Sequence, residues 1–199
     1  MKIILASGSP RRKDILNQAG ITFEVMVSGI DEIVRFTEPE KVVMDLSEQK
    51  AIDITEKNQG EFLVIGADTV VAFQDEIMGK PRNEEEAFLM LNKLQGNTHQ
   101  VFTGVTLIIK SDNEKENKNF QKISFYEKTD VVMYPMTEKD ILEYIATGEP
   151  MDKAGAYAIQ GLCAIYIKEI KGDYNNVVGF PLSRIYREAK EVGIDLCRQ

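Results

Sequence analysis

The sequence predicts an α/β fold: one mixed, twisted sheet with flanking helices. Two observations carry that expectation. Apolar runs of strand length alternate with helical segments along most of the chain, the pattern of strands covered by helices. Two long strand candidates, His99–Ile109 and Phe120–Tyr134, then follow one another across the polar connector Lys110–Asn119, so part of the sheet pairs as an antiparallel hairpin with that connector as its solvated loop. With 199 residues, no internal repeat, no low-complexity segment and no linker, positions 1–199 read as a single domain.

The elements follow in order. Ile3–Ala6 is a short buried strand ended by Ser7-Gly8-Ser9-Pro10. Pro10 suits the first turn of a helix, with Ser9 as its cap and Gly20 as its stop after Ala19. Thr22–Val27 reads as a second strand and Pro39–Lys57 as a long helix. The apolar run Phe62–Phe73 is a third strand, broken at its centre by Asp68 and Thr69. Asn83 with Glu86 resembles a capping box for a helix ending near Gly96, and Thr137 with Asp140 caps another that runs to Thr147. A Gly-containing loop leads to a strand over Leu162–Ile170, and a last helix starts after Pro181.

Composition narrows the partners. Hydrophobic residues at 43% and charged residues at 28% are ordinary for a soluble globular chain and argue against disorder. Lys and Arg number 24 against 32 Asp and Glu, a formal charge of -8, which is the wrong sign for a nucleic-acid duplex or a membrane surface. Any polyanion handled here is small and held by a local patch. No run approaches the roughly 20 apolar residues of a membrane span. The apolar stretch in MKIILASGSPRR is too short for a signal-peptide core. Two cysteines, Cys163 and Cys197, make no metal or disulfide framework, which suits a reducing cytosol and a cytoplasmic protein. His99, the only histidine, excludes a two-His zinc site and reads as structural.

Chemistry concentrates in a few places. Ser7-Gly8-Ser9-Pro10-Arg11-Arg12 puts hydroxyls, a permissive glycine and two guanidiniums at a helix start directly after a strand. Backbone N–H groups there favour anions and guanidinium forks match phosphate oxygens, although a capped helix with solvated arginines has the same sequence. It is not a P-loop. Asp68 stands alone in an apolar strand; a buried carboxylate needs a partner, so it is a metal ligand, a general base or a strand-end cap. On a helix at 100° per residue, Lys50 falls inside an apolar stripe about 80° wide formed by Val43, Leu46 and Ile54, where it snorkels to solvent or reaches a buried anion. Glu32, beside Asp31, is solvated surface unless it lies next to Asp68, in which case the two carboxylates make an oxygen-rich site for Mg²⁺ or Mn²⁺. Lys80 in Gly79-Lys80-Pro81 stands in a tight turn, a surface lysine when taken singly or an ammonium that meets a phosphate or a base. In the loop Gly148–Gly161, small residues around Tyr157 and Gln160 admit a flat ligand, and the Gln160 amide offers the donor and acceptor that a uracil or thymine edge asks for. Gly172–Pro181 is a second such loop.

Together these pieces resemble the Maf family of nucleoside triphosphate pyrophosphatases. The match keeps one order along nearly the whole chain: SGSPRR at Ser7–Arg12, GADT at Gly66–Thr69, GKP at Gly79–Pro81, TGV at Thr103–Val105, EPMDKAGAYAIQG at Glu149–Gly161 and NVVGFP at Asn176–Pro181. The Ile-Gln-Gly ending of the long motif is similar to the dTTP/UTP-hydrolysing branch rather than the 7-methyl-GTP branch. Phe180 stands where the family more usually has Leu, and Lys110–Asn119 is the least family-like stretch.

The resemblance implies a fold related to the inosine triphosphatases, with a mixed sheet flooring a cleft between two lobes. It implies a hydrolase of phosphorus-containing anhydrides that converts dTTP and UTP, or modified pyrimidine nucleotides, to the monophosphate and pyrophosphate. The family proton acceptor maps to Asp68. Selectivity positions map to Arg12, Thr69 and Gln160, and cleft positions to Ser7, Glu32, Lys50 and Lys80. Glu32 and Asp68 are the expected ligands of Mg²⁺ or Mn²⁺, and Arg11 joins the groups that offset triphosphate charge. A homodimer and a link to cell-division control are implied on the same ground. Two readings from other classes stay open at this stage: a nucleotidyltransferase, which also releases pyrophosphate, and a non-catalytic nucleotide sensor.

Overall fold

The computed structural model describes residues 1–111 and 120–197. The chain runs β1 (Lys2–Leu5), α1 (Pro10–Gln18), β2 (Glu24–Val25), α2 (Pro39–Glu56), β3 (Phe62–Phe73), β4 (Glu76–Met78), α3 (Glu84–Leu94), β5 (Thr98–Lys110), β6 (Gln121–Met133), α4 (Glu138–Ala146), β7 (Ile167–Lys171), α5 (Tyr174–Val178) and α6 (Leu182–Glu191). Short 3-10 turns at Glu149–Asp152, Ala154–Ala156 and Leu162–Tyr166 fill the span between α4 and β7. The expected mixed sheet is present. Its order is β2-β1-β3-β5-β6-β7, with β4 added to β3. β2, β1 and β3 run parallel, while along β3, β5, β6 and β7 each strand runs antiparallel to its neighbour. Of the connector Lys110–Asn119, Lys110 closes β5, Ser111 follows it, and the rest lies outside the described residues.

Alternation along β3 assigns its side chains to two faces. On one face Leu63, Ile65 and Ala67 join a core under α1 and α6, and Val71 joins a second core under α3 and α4. Thr69, with its register partner Thr103, interrupts the apolar surface between them. That polar band separates two lobes. On the opposite face α2 covers both halves: Ala51 and Ile54 pack with Phe62 and Val64, and Val43 and Leu46 pack with Val70 and Ala72. Phe180 is fully buried in the α1–α6 core, so the Leu-to-Phe departure is a packing change.

Several local expectations are corrected. The Ser9 side chain makes no cap; the Ser9 N–H instead donates to Ser7 Oγ at 3.3 Å, and Pro10 opens the helix. The second strand shrinks from Thr22–Val27 to Glu24–Val25, an edge strand with both residues exposed. Leu162–Tyr166 is a 3-10 turn and only Ile167–Lys171 is strand. Asn83 accepts from Glu86 N at 2.8 Å, but the Glu86 carboxylate goes to Arg82, so only half of that capping box forms. Thr137 and Asp140 make the full box. Among the described residues no helix is long and apolar enough to cross a membrane, and both cysteines are free, Cys163 buried and Cys197 exposed.

Candidate active site

The site exists because β3 outruns its neighbour. β1 pairs with β3 only as far as Leu5 opposite Ile65, and β4 pairs only from Val71 onward. Between them the edge of β3 has no strand partner among the described residues, and a cavity of about 420 Å³ opens against it. Asp68 and Thr69 point to opposite faces of the sheet, yet both line this cavity, because it wraps around the uncovered edge. Eight of the nine residues singled out from the sequence line it: Ser7, Arg11, Arg12, Lys50, Asp68, Thr69, Lys80 and Gln160. Glu32 does not; it stands beside the cavity, half exposed, attached through Lys50.

Arg12 takes over where β1 ends. Its Nη1 donates to the Ala67 carbonyl at 2.8 Å, in the position of the next ladder bond after Ala6 N to Ile65 O at 2.9 Å. The same guanidinium donates to Gly179 O at 2.8 Å through Nε, to Ser7 Oγ at 2.9 Å, and through Nη2 to Thr69 Oγ1 at 3.1 Å. Four of its five N–H groups are spent inside the protein. The side chain is therefore a buried brace for the cleft wall, with a single N–H left for a ligand. Burial pushes its pKa below the ordinary arginine value, and the nearby Asp68 charge opposes that shift. Arg11, the neighbouring residue, is the more accessible cation.

Lys50 settles between its two sequence readings: it reaches a carboxylate. Its Nζ lies 2.5 Å from Asp68 Oδ1 and 3.0 Å from Glu32 Oε1. Asp68 thus has the charged partner that a nearly buried carboxylate requires. Glu32 and Asp68 do converge, on one ammonium. No cluster of three or more His, Cys, Asp or Glu side chains stands ready for a metal among the described residues. Two carboxylates fit Mg²⁺ or Mn²⁺ only where phosphate oxygens and water complete the coordination, the usual arrangement for Mg²⁺ on a nucleotide.

The loop after α4 forms the far wall. Glu149 ties its two ends together: its carboxylate accepts from Leu162 N at 3.0 and 3.1 Å and from Tyr144 Oη at 2.7 Å. Tyr144 Oη in turn accepts from Ala158 N at 3.3 Å. Gln160, exposed and facing the cavity, sits between these anchors. A Cβ at residue 161 would lie 2.3 Å from the Glu149 carboxylate, so a side chain there would displace that carboxylate from Leu162 N. Burial and Glu149 push the Tyr144 phenol up, and burial pushes the Cys163 thiol up to about 12.

Three contributors escaped the sequence reading. Lys153 lines the cavity and pairs with Asp152; its signals were a charged pair inside a Gly/Ala-rich loop and its place in the motif Glu149–Gly161. Thr103 on β5 and Asn176 on α5, both fully buried, back Thr69 from below; the sequence marks them only as the first residues of two motifs. With Lys153 counted, five cationic side chains line the cavity against the carboxylates of Asp68 and Asp152. A chain of charge -8 has gathered local positive charge. His99 is structural, as expected: fully buried, it meets Tyr157 Oη at 2.7 Å, and burial lowers its pKa to about 4.

Known proteins match along the whole chain. A protein from Lachnoclostridium phytofermentans named dTTP/UTP pyrophosphatase is 49% identical over 198 residues, covering 100% of this chain and 98% of its own. A protein of the same name from Agathobacter rectalis is 49% identical and covers 98% of this chain and 99% of its own. Among solved structures, the Staphylococcus aureus Ham1 protein covers 96% of this chain and 100% of its own at 13% identity with a TM-score of 0.48, a likeness too loose to carry an argument. The model of the family described as Maf-like protein matches residues 2–192, and with that coverage the chain belongs to the Maf-like proteins.

Proposed function

We propose that this protein hydrolyses nucleoside triphosphates to the monophosphate and pyrophosphate, with dTTP and UTP as substrates. One observation carries the reading: a carboxylate nearly enclosed in an apolar strand, Asp68, opens onto the same cavity as Arg11, Lys80 and Lys153. The names of the full-length relatives agree with it.

Phosphoryl chemistry is chiefly positioning and charge neutralisation. The triphosphate lies along the cationic wall, where Arg11, Lys80 and Lys153 offset its charge, and Ser7 and the one free N–H of Arg12 add donors at the helix start. Asp68 orients a water and takes its proton. Lys50 holds Asp68 in place and keeps a positive charge beside it. Asp68 and Glu32, together with phosphate oxygens, would hold a divalent cation, Mg²⁺ or Mn²⁺, which would supply polarisation of the reacting phosphate. Thr69 and Gln160 read the pyrimidine edge. A cytoplasmic homodimer that removes unwanted pyrimidine nucleotides and bears on cell division belongs to the same reading and rests on the resemblance alone.

A panel of canonical and modified nucleotides, with Mg²⁺ or Mn²⁺ and no acceptor molecule, tests the activity. Monophosphate and pyrophosphate are the expected products, fastest from dTTP and UTP. Pyrophosphate release only on adding an acceptor would make the protein a transferase, and saturable binding without products would make it a sensor.

A further inference from the structure

We infer that Thr103 and Asn176 fix the direction of the Thr69 hydroxyl hydrogen, so that Thr69 meets the nucleobase only as an acceptor and the site selects a ring presenting an N–H at that edge. The inference rests on the pyrimidine reading above and deepens it, because it supplies a physical ground for preferring uracil and thymine to cytosine.

The argument is a count of hydrogens. A threonine hydroxyl has one to give. Thr103 Oγ1 lies 3.1 Å from the Asn176 carbonyl oxygen and 2.9 Å from Thr69 Oγ1. A carbonyl oxygen can only accept, and two oxygens this close in a dry interior repel unless a hydrogen lies between them. The Thr103 hydrogen therefore points at Asn176. Thr103 is left as the acceptor towards Thr69, and the Thr69 hydrogen fills that contact. From the other side Arg12 Nη2 donates to Thr69 Oγ1 at 3.1 Å, and an arginine never accepts.

The described surroundings favour this order. Thr103 and Asn176 are fully buried, so water does not compete. Asn176 is itself clamped, its Nδ2 donating to Val101 O at 3.1 Å and to Thr129 Oγ1 at 2.9 Å. Thr69 keeps one lone pair and no free hydrogen. Uracil and thymine carry an N3–H, whereas cytosine has a bare acceptor at N3. An acceptor set against an acceptor leaves both unsatisfied, at a cost of about 1–3 kcal/mol when buried. Gln160 cannot make this distinction alone, because its amide presents a donor or an acceptor by turning over. Discrimination falls on the hydroxyl that cannot turn. Thr103 and Asn176 are thus positioning residues, acting through Thr69.

Steady-state kcat/KM for UTP and CTP in the wild type, Thr103→Val and Thr103→Ser tests this. Valine keeps the shape of threonine and frees the Thr69 hydrogen; the Asn176 carbonyl retains the Gly179 N–H at 2.9 Å. The UTP-to-CTP ratio should fall about tenfold or more in Thr103→Val and return in Thr103→Ser. An unchanged ratio in folded Thr103→Val overturns the inference. Should that variant fail to fold, wild-type turnover of 3-methyl-UTP, which lacks the N3–H, decides: loss of about tenfold or more relative to UTP supports the lock, and equal turnover overturns it. Absence of any UTP hydrolysis by the wild type is a different result. It removes the proposed activity and this inference with it.

Discussion

Gly66 lies so close beneath the backbone of Ser47 that a Cβ on it would come within 2.3 Å of the Ser47 carbonyl oxygen. At Gly104, one strand over, a Cβ would be 2.2 Å from the backbone of Val43. The two glycines form a groove in the sheet into which α2 settles, and that seating lets Lys50 reach Asp68 at 2.5 Å. Backbone cannot swing aside as a side chain can. Gly66→Ala should therefore destabilise the fold by about 3 kcal/mol, at the upper end of overpacking costs. Urea denaturation measures it, and a loss under about 1 kcal/mol, below the lower end of that scale, would show that α2 can shift freely.

The Gln160 wall depends on Tyr144. Removing its hydroxyl leaves the Glu149 carboxylate without one donor and Ala158 N–H without an acceptor. Tyr144→Phe should cost about 1–2 kcal/mol of stability. It should also narrow the preference for dTTP and UTP over other nucleotides, because the segment carrying Gln160 is held less firmly. A nucleotide panel run well below the melting point separates the effects. An unaltered preference would mean that the Glu149 contacts to Leu162 hold the loop unaided.

His99 makes stability depend on pH. Its pKa is lowered by burial from 6.5 to about 4, so as acid is added the unfolded chain takes the proton first. This stabilising contribution is complete above pH 6.5 and lost as pH falls from there towards 4, for a total on the order of 3 kcal/mol. The variant His99→Gln has no such titration. Its stability difference between pH 7 and pH 4 should be smaller than that of the wild type by a comparable amount. Parallel pH profiles for the two proteins would contradict the assignment.

Much of this site is legible in the sequence because its signals are local. A lone Asp in a twelve-residue apolar run, a Lys inside an apolar helical stripe and paired arginines after a strand each conflict with their surroundings, and a conflict of that kind marks a position with a task. What stays hidden is set by distant contacts. β4 follows a two-residue turn, Gln74-Asp75, with φ of 50° and 64°, where Asn-Gly would have announced a hairpin. Leu162–Tyr166 carries an apolar run that suits a strand, yet Glu149, thirteen residues upstream, binds Leu162 N and starts a 3-10 turn instead. Thr103 and Asn176 open two of the sequence motifs, but their shared task shows only where Thr103 on β5 meets the Asn176 carbonyl on α5 in the interior.

Metal should matter to turnover and not to folding. Asp68 and Glu32 already share Lys50, and no larger acidic cluster is left unneutralised at the site among the described residues. EDTA should stop hydrolysis, excess Mg²⁺ or Mn²⁺ should restore it, and the melting temperature should not move in either case. Turnover that persists in chelator would take the cation out of the scheme. A fall in melting temperature would point to a structural metal elsewhere.

The most direct test is the product analysis and rate of Asp68→Asn beside the wild type, with UTP and Mg²⁺. The substitution keeps the size of the side chain and its hydrogen bonding to Lys50, and removes the proton acceptor together with one expected ligand of the cation. The account predicts UMP and pyrophosphate from the wild type, and in the variant a turnover lower by about 100-fold or more with UTP affinity largely retained. UDP and phosphate as products, or near-wild-type turnover in Asp68→Asn, would contradict it.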